Sequence, residues 1–171
     1  CSSLKSFTAH PDNPTYTAVD GILFSKTKVE DEYGPNNIIK YPAAKAGDTY
    51  IASETIKSLN MGAFDGCALL KTIDISNTTV TSVIYGVFEG CTSLETLRLP
   101  ATIKNIDGTA FNDCTSLAAF DIPEGCEDLS TVDGVLFDET KRSLIRYPIA
   151  KTGASFNLPE NTVSIEKGAF Q

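Results

Sequence analysis

Tryptophan is absent from the 171 residues, and histidine and methionine occur once each. A single His removes the commonest general base and the commonest metal ligand from most constellations. No segment approaches the ~20 consecutive apolar residues of a membrane span, and no charged-then-apolar amino terminus resembles a signal peptide. Cations are also in short supply: 14 Lys and Arg stand against 22 Asp and Glu, a net charge of −8. A phosphate backbone or an anionic membrane would be repelled on average, which argues against a nucleic-acid partner and against membrane insertion. What is present is a folding composition, 42% hydrophobic and 21% charged, at the length of one ordinary domain. The five cysteines are an odd number and cannot all pair within the chain.

The organising feature is an internal repeat. Cys67-Ala-Leu-Leu-Lys-Thr-Ile-Asp-Ile-Ser is echoed by Cys91-Thr-Ser-Leu-Glu-Thr-Leu-Arg-Leu-Pro, 24 residues on, and by Cys114-Thr-Ser-Leu-Ala-Ala-Phe-Asp-Ile-Pro, a further 23 on. Each unit carries a small residue and a Phe ahead of its Cys: Ala63-Phe64, Val87-Phe88 and Ala110-Phe111. A unit this short cannot enclose its own core, so its apolar positions must be covered by the neighbouring units, and a solenoid follows. The spacing of Leu94, Leu97 and Leu99 ends in the alternation of a strand. Stacked in parallel about 4.8 Å apart, such strands would place Tyr50, Ile73, Leu97, Phe120 and Phe156 in one inward column. A second apolar wall is expected from Ile56 and Leu59, Val80 and Val83, Ile103 and Ile106, and Val163 and Ile165.

Two units are longer and resemble each other. Val19-Asp20-Gly21-Ile22-Leu23-Phe24 matches Val132-Asp133-Gly134-Val135-Leu136-Phe137, and Ile38-Ile39-Lys40-Tyr41-Pro42 matches Leu144-Ile145-Arg146-Tyr147-Pro148. Each pair reads as a two-stranded hairpin inserted into a coil, over approximately 16–48 and 129–153. The first is longer by an acidic, turn-rich tip from Glu30 to Asn37, which includes Tyr33. Cys1-Ser-Ser-Leu4-Lys-Ser-Phe7 repeats the coil signature, while Gly168-Ala169-Phe170-Gln171 stops just before the next Cys position. Both ends thus fall inside a repeat. Because a solenoid needs polar caps, residues 1–171 read as a single domain of about six coils and a segment of a longer protein.

The Cys-x-x-Leu-x-x-Ile/Leu/Phe-x-Leu/Ile-Pro strand, the 23 to 24 residue spacing and the Ala-Phe step resemble the BspA-like (Treponema pallidum type) leucine-rich repeats, and the Val-Asp-Gly-x-Leu-Phe … Tyr-Pro segments are similar to extended repeats of that family. The resemblance implies a leucine-rich-repeat solenoid with a parallel sheet on one face. It also implies a secreted or outer-surface protein of host-associated bacteria, some of whose relatives are adhesins for matrix or plasma proteins. Ala68, Ser76 in place of Pro100 and Pro123, and Cys126, which has no evident counterpart, depart from the pattern.

Catalytic and metal chemistry find little support. Cys1, Cys67, Cys91 and Cys114 occupy the repeat position, no Cys-x-x-Cys pair exists, and in-register parallel side chains do not give the roughly ±90° dihedral of a disulfide. Buried free thiols are expected, with no metal and no cofactor. A Cys at position 1 also matches the start of a mature lipoprotein, but the repeat already accounts for it. Cys126 lies between acids that discourage a thiolate. His10 precedes Pro11-Asp12-Asn13-Pro14 and reads as a loop residue. Asn77-Thr78-Thr79 fits a glycosylation pattern that matters only in a eukaryotic secretory pathway. The hairpin aromatics Phe24, Tyr41, Phe137 and Tyr147 are expected to pack on the coils.

The exposed strand face is the sharper candidate. Alternation leaves Ser6, Thr49, Thr72, Thr96, Ala119 and Ser155 in one outward column and Thr8, Ile51, Asp74, Arg98, Asp121 and Asn157 in the next. The first column is uniformly small. In the second, Asp74, Arg98 and Asp121 alternate in sign, as a cross-strand ladder or as part of a binding surface. Candidate contact residues are therefore Thr72, Asp74, Thr96, Arg98, Ala119 and Asp121, with Glu30 and Tyr33 at the tip. The expected function is a non-enzymatic cell-surface binding module of adhesin type with a protein or glycan ligand. The alternatives are a structural spacer presenting another domain and, least supported, a glycan hydrolase.

Overall fold

Each repeat turns once around a shared core because its apolar residues fall into two clusters separated by turns at which glycine takes a positive φ, as at Gly66 and Gly90 in equivalent positions. The computed structural model describes residues 2–29 and 32–170, with the side chains of 27–34 excluded. Cys1 and Glu30 thus lie outside the described residues, as does the side chain of Tyr33.

The first cluster forms a parallel sheet of β4 (Thr49–Ile51), β6 (Thr72–Asp74), β8 (Thr96–Arg98) and β10 (Ala119–Asp121), stacked in the order β10-β8-β6-β4. Its register aligns Tyr50, Ile73, Leu97 and Phe120, as the repeat spacing requires, and the last three are buried. Phe156 does not extend the sheet. Residues 155–157 form no strand, and the Phe156 ring packs on Phe137 and Tyr147.

The second wall is built from two-residue strands: β5 (Ser58–Leu59), β7 (Ser82–Val83), β9 (Asn105–Ile106) and β14 (Ser164–Ile165). Ile56, Val80 and Ile103 precede these strands and are buried; Val163 and Ile165, expected to be inward, are more than half exposed on the last described coil. Cys126 finds its place here. It sits three residues after Pro123 as Ile103 sits three after Pro100, both donate their backbone N–H to that proline carbonyl, and the Cys126 thiol donates to the Ile103 carbonyl one coil earlier (3.4 Å). Cys126 is therefore the wall residue of its coil, not an outlier.

Between the two walls runs an aromatic column. The rings of Tyr41, Phe64, Phe88 and Phe111 succeed one another at 5.6, 5.4 and 5.7 Å between centroids. The buried thiols of Cys67, Cys91 and Cys114 run beside it and donate to the carbonyls of Tyr41, Phe64 and Phe88, one coil back, at 3.7, 3.1 and 3.1 Å. Sulfur thus acts as a small apolar side chain with one weak donor, and the Phe64 and Phe88 carbonyls it meets also accept the Cys67 and Cys91 backbone N–H groups at 3.0 and 3.1 Å.

The two longer units differ from the expected two-stranded hairpins. Each has three antiparallel strands: β1 (Tyr16–Val19), β2 (Ile22–Val29) and β3 (Glu32–Lys40) in the first, and β11 (Leu129–Val132), β12 (Val135–Asp138) and β13 (Ser143–Arg146) in the second. The extra strand precedes the Asp-Gly turn, where Asp20 and Gly21, and Asp133 and Gly134, all take positive φ, the geometry of a tight two-residue hairpin turn. The backbone from Glu32 to Asn37, expected as a turn-rich tip, belongs to β3. The last strand of each unit also pairs in parallel with the next coil, Ile38 with Leu59 and Leu144 with Ile165, so it doubles as second wall.

The two units repeat each other bond for bond. Phe7 N–H donates to the Gly21 carbonyl and Phe120 N–H to that of Gly134; Tyr41 N–H donates to the Ala63 carbonyl and Tyr147 N–H to that of Ala169. Lys45 and Lys151 reach back to Asp20 and Asp133 at 3.0 and 2.7 Å.

Candidate interaction surface

The outward face of the β4-β6-β8-β10 sheet carries the residues singled out by alternation. Thr49, Thr72, Thr96 and Ala119 lie in one register line, and Ile51, Asp74, Arg98 and Asp121 in the next. All six strand-face candidates are thus brought together. Glu30 lies outside the described residues and nothing places Tyr33 beyond the backbone of β3, so the tip contributes no described contact. Ser6 and Thr8 lie outside any strand, as do Ser155 and Asn157, so the sheet is narrower than the columns predicted.

The charge ladder is closed on both sides. Arg98 Nη1 lies 3.4 Å from Asp74 Oδ2, and its Nε lies 3.4 Å from Asp121 Oδ2. The two acids are not equivalent. The Asp74 side chain is 13% exposed, whereas that of Asp121 is 60% exposed. Asp74 is fastened by Ser76, whose N–H and hydroxyl both donate to Oδ1 at 3.0 and 2.6 Å. Partial burial pushes the Asp74 carboxyl upward, but the two Ser76 bonds and then Arg98 outweigh it and hold the group below the ordinary carboxylate value. Ser76 is the residue sequence reasoning missed. Its signal was the Asp-x-Ser spacing at a coil that lacks the Pro of Pro100 and Pro123, a side-chain turn that replaces a ring.

A carboxyl depressed in the folded state stabilises the fold above its unfolded value of about 3.8, and that contribution is lost as pH falls through the lower folded value. Asp74→Asn should therefore lower the thermal midpoint at neutral pH and shrink the fall in midpoint between pH ~5 and pH ~2. Equal falls in both proteins would show that Asp74 contributes nothing through its charge.

Other parts of the surface offer different chemistry. A cleft of about 430 Å³ separates β9 from the second three-stranded unit and is lined by Lys104, Asp107, Asp128, Asp138 and Glu166. Three of its four acids are engaged: Asp107 accepts from Thr109, Asp138 from Ser143 and Thr140, and Glu166 from the Ser143 hydroxyl. Slight burial of Asp138 is outweighed by these bonds, so its carboxyl sits below the ordinary value, opposite to the raised group a glycosidase acid needs. Among the described residues, no group of three His, Cys, Asp or Glu could hold a metal ion, and no helix is long and apolar enough to cross a membrane. Burial, foremost, pushes the Cys67 thiol up to about 12, away from nucleophile chemistry at neutral pH. Phe24, Tyr41 and Phe137 are buried in the core, as expected of packing residues.

The BspA type leucine-rich repeat region matches residues 47–171 in six copies. The chain belongs to this family. BspA-type repeats account for the parallel sheet, the Cys column and the Phe step in one motif. Among solved structures, the pneumococcal vaccine antigen PcpA is similar, with 29% identity and a TM-score of 0.67; the match covers 72% of this chain and 31% of PcpA. The chain thus spans about a third of that protein. A leucine-rich repeat protein from Eubacterium ventriosum matches at 15% identity and a TM-score of 0.49, over 91% of this chain and 56% of the other. A leucine rich cell surface protein from Faecalibacterium prausnitzii matches at 21% identity and a TM-score of 0.41, over 71% of this chain and 42% of the other. No curated protein matches the chain significantly.

Proposed function

We propose that the chain is a non-enzymatic protein-binding module of a bacterial surface protein, an adhesin-type segment whose contact surface is the β4-β6-β8-β10 face. The observation that carries this reading is the face itself. Parallel strands in one register present a flat line of small side chains, Thr49, Thr72 and Thr96, with Ala119 at its end under the Gly134 turn, next to an ordered line of Ile51, Asp74, Arg98 and Asp121. A partner can approach the first line closely, while the second supplies charge and one apolar side chain held by a rigid core, so little ordering entropy is lost on binding. The similarity to a pneumococcal vaccine antigen supports a surface location, and the family's use of solenoids as recognition scaffolds supports binding over catalysis.

The test is retention of purified protein on immobilised fibronectin, fibrinogen and mucin glycans, compared with a Thr72→Tyr, Thr96→Tyr, Arg98→Glu variant. These three side chains point outward, so the circular dichroism spectrum should be unchanged while retention falls at least tenfold. Retention unaffected by the triple variant would remove the face from consideration. No retention of the unaltered protein on any of the three would end the adhesin reading.

A further inference from the structure

We draw no further inference here: the strongest candidate, the cleft of about 430 Å³ between the second three-stranded unit and β9, which among the described residues pairs with β7 alone, carries none because its carboxylates are only a surface cluster and nothing in the structure shows what would cover the free strand edge.

Discussion

Phe88→Ala should destabilise the protein by about 3–5 kcal/mol, read from urea denaturation followed by circular dichroism. Phe88 is fully buried at the middle of the aromatic column, with Phe64 and Phe111 on either side at 5.4 and 5.7 Å. Truncation removes the largest buried side chain of its coil, leaves a cavity between two rings, and forfeits two stacked contacts worth about 0.5–1.5 kcal/mol each beyond burial. The backbone of Phe88 is tied in independently. Its N–H donates to the Ala110 carbonyl and its carbonyl accepts the Cys114 thiol, so the surrounding coils are held apart rather than free to collapse into the space. A solenoid makes this worse, because each coil contacts only its neighbours and a weakened central interface uncouples the two sides. The transition should therefore broaden as well as shift. Phe170→Ala is the comparison: its ring lies tilted against Tyr147 at 5.4 Å but is 62% exposed, and its loss should cost roughly 1 kcal/mol. Equal losses at the two positions would show that the column is not the core.

The aromatic column and the strand register were legible in the sequence because several side chains mark each coil at once. Phe64, Phe88 and Phe111 keep step with Cys67, Cys91 and Cys114, so a slip by one residue would turn every one of them outward. Parity then assigned Thr72, Asp74, Thr96 and Arg98 to the exposed face without further information. What escaped was structure too short or too irregular to carry a period. The second-wall strands are two residues long, and β1 has exposed ends around two half-buried residues rather than an alternation, so it announced itself only through the Asp-Gly turn that follows. Cys126 was obscured by its chemistry: a thiol stands where the other coils use Ile or Val, and the Pro three residues earlier was the surviving sign of register. The strand expected at Phe156 failed for a different reason. The ring is drawn toward Phe137 and Tyr147 of the second three-stranded unit, and the chain around it carries no ladder bonds.

Gly134→Ala should cost about 2–4 kcal/mol, far more than an alanine usually does at a turn. Two separate strains combine there. Gly134 has a φ of +75°, where an L side chain is disfavoured by about 1–2 kcal/mol. An added Cβ would also stand 2.8 Å from the Cβ of Ala119 and 3.2 Å from its Cα. The second contact is with backbone, so no rotamer change relieves it. Nor can the turn retreat, since Phe120 N–H donates to the Gly134 carbonyl and Lys151 grips Asp133 at 2.7 Å. Gly125→Ala separates the terms: its φ is +90° but nothing lies within 4 Å of the new Cβ, so only the conformational cost of about 1–2 kcal/mol should appear. Ala119→Gly placed in the Gly134→Ala background removes the nearer clash and should recover about 1 kcal/mol, although Ala119→Gly alone weakens a strand. Equal costs at Gly134 and Gly125, or no recovery in the double variant, would refute the close approach. The same contact explains why the unit that begins at β11 can lie against the strand face at all. Only a turn without a side chain lets it sit on Ala119, as Gly21 sits on Ser6 with its own would-be Cβ 2.9 Å from the Ser6 Cβ.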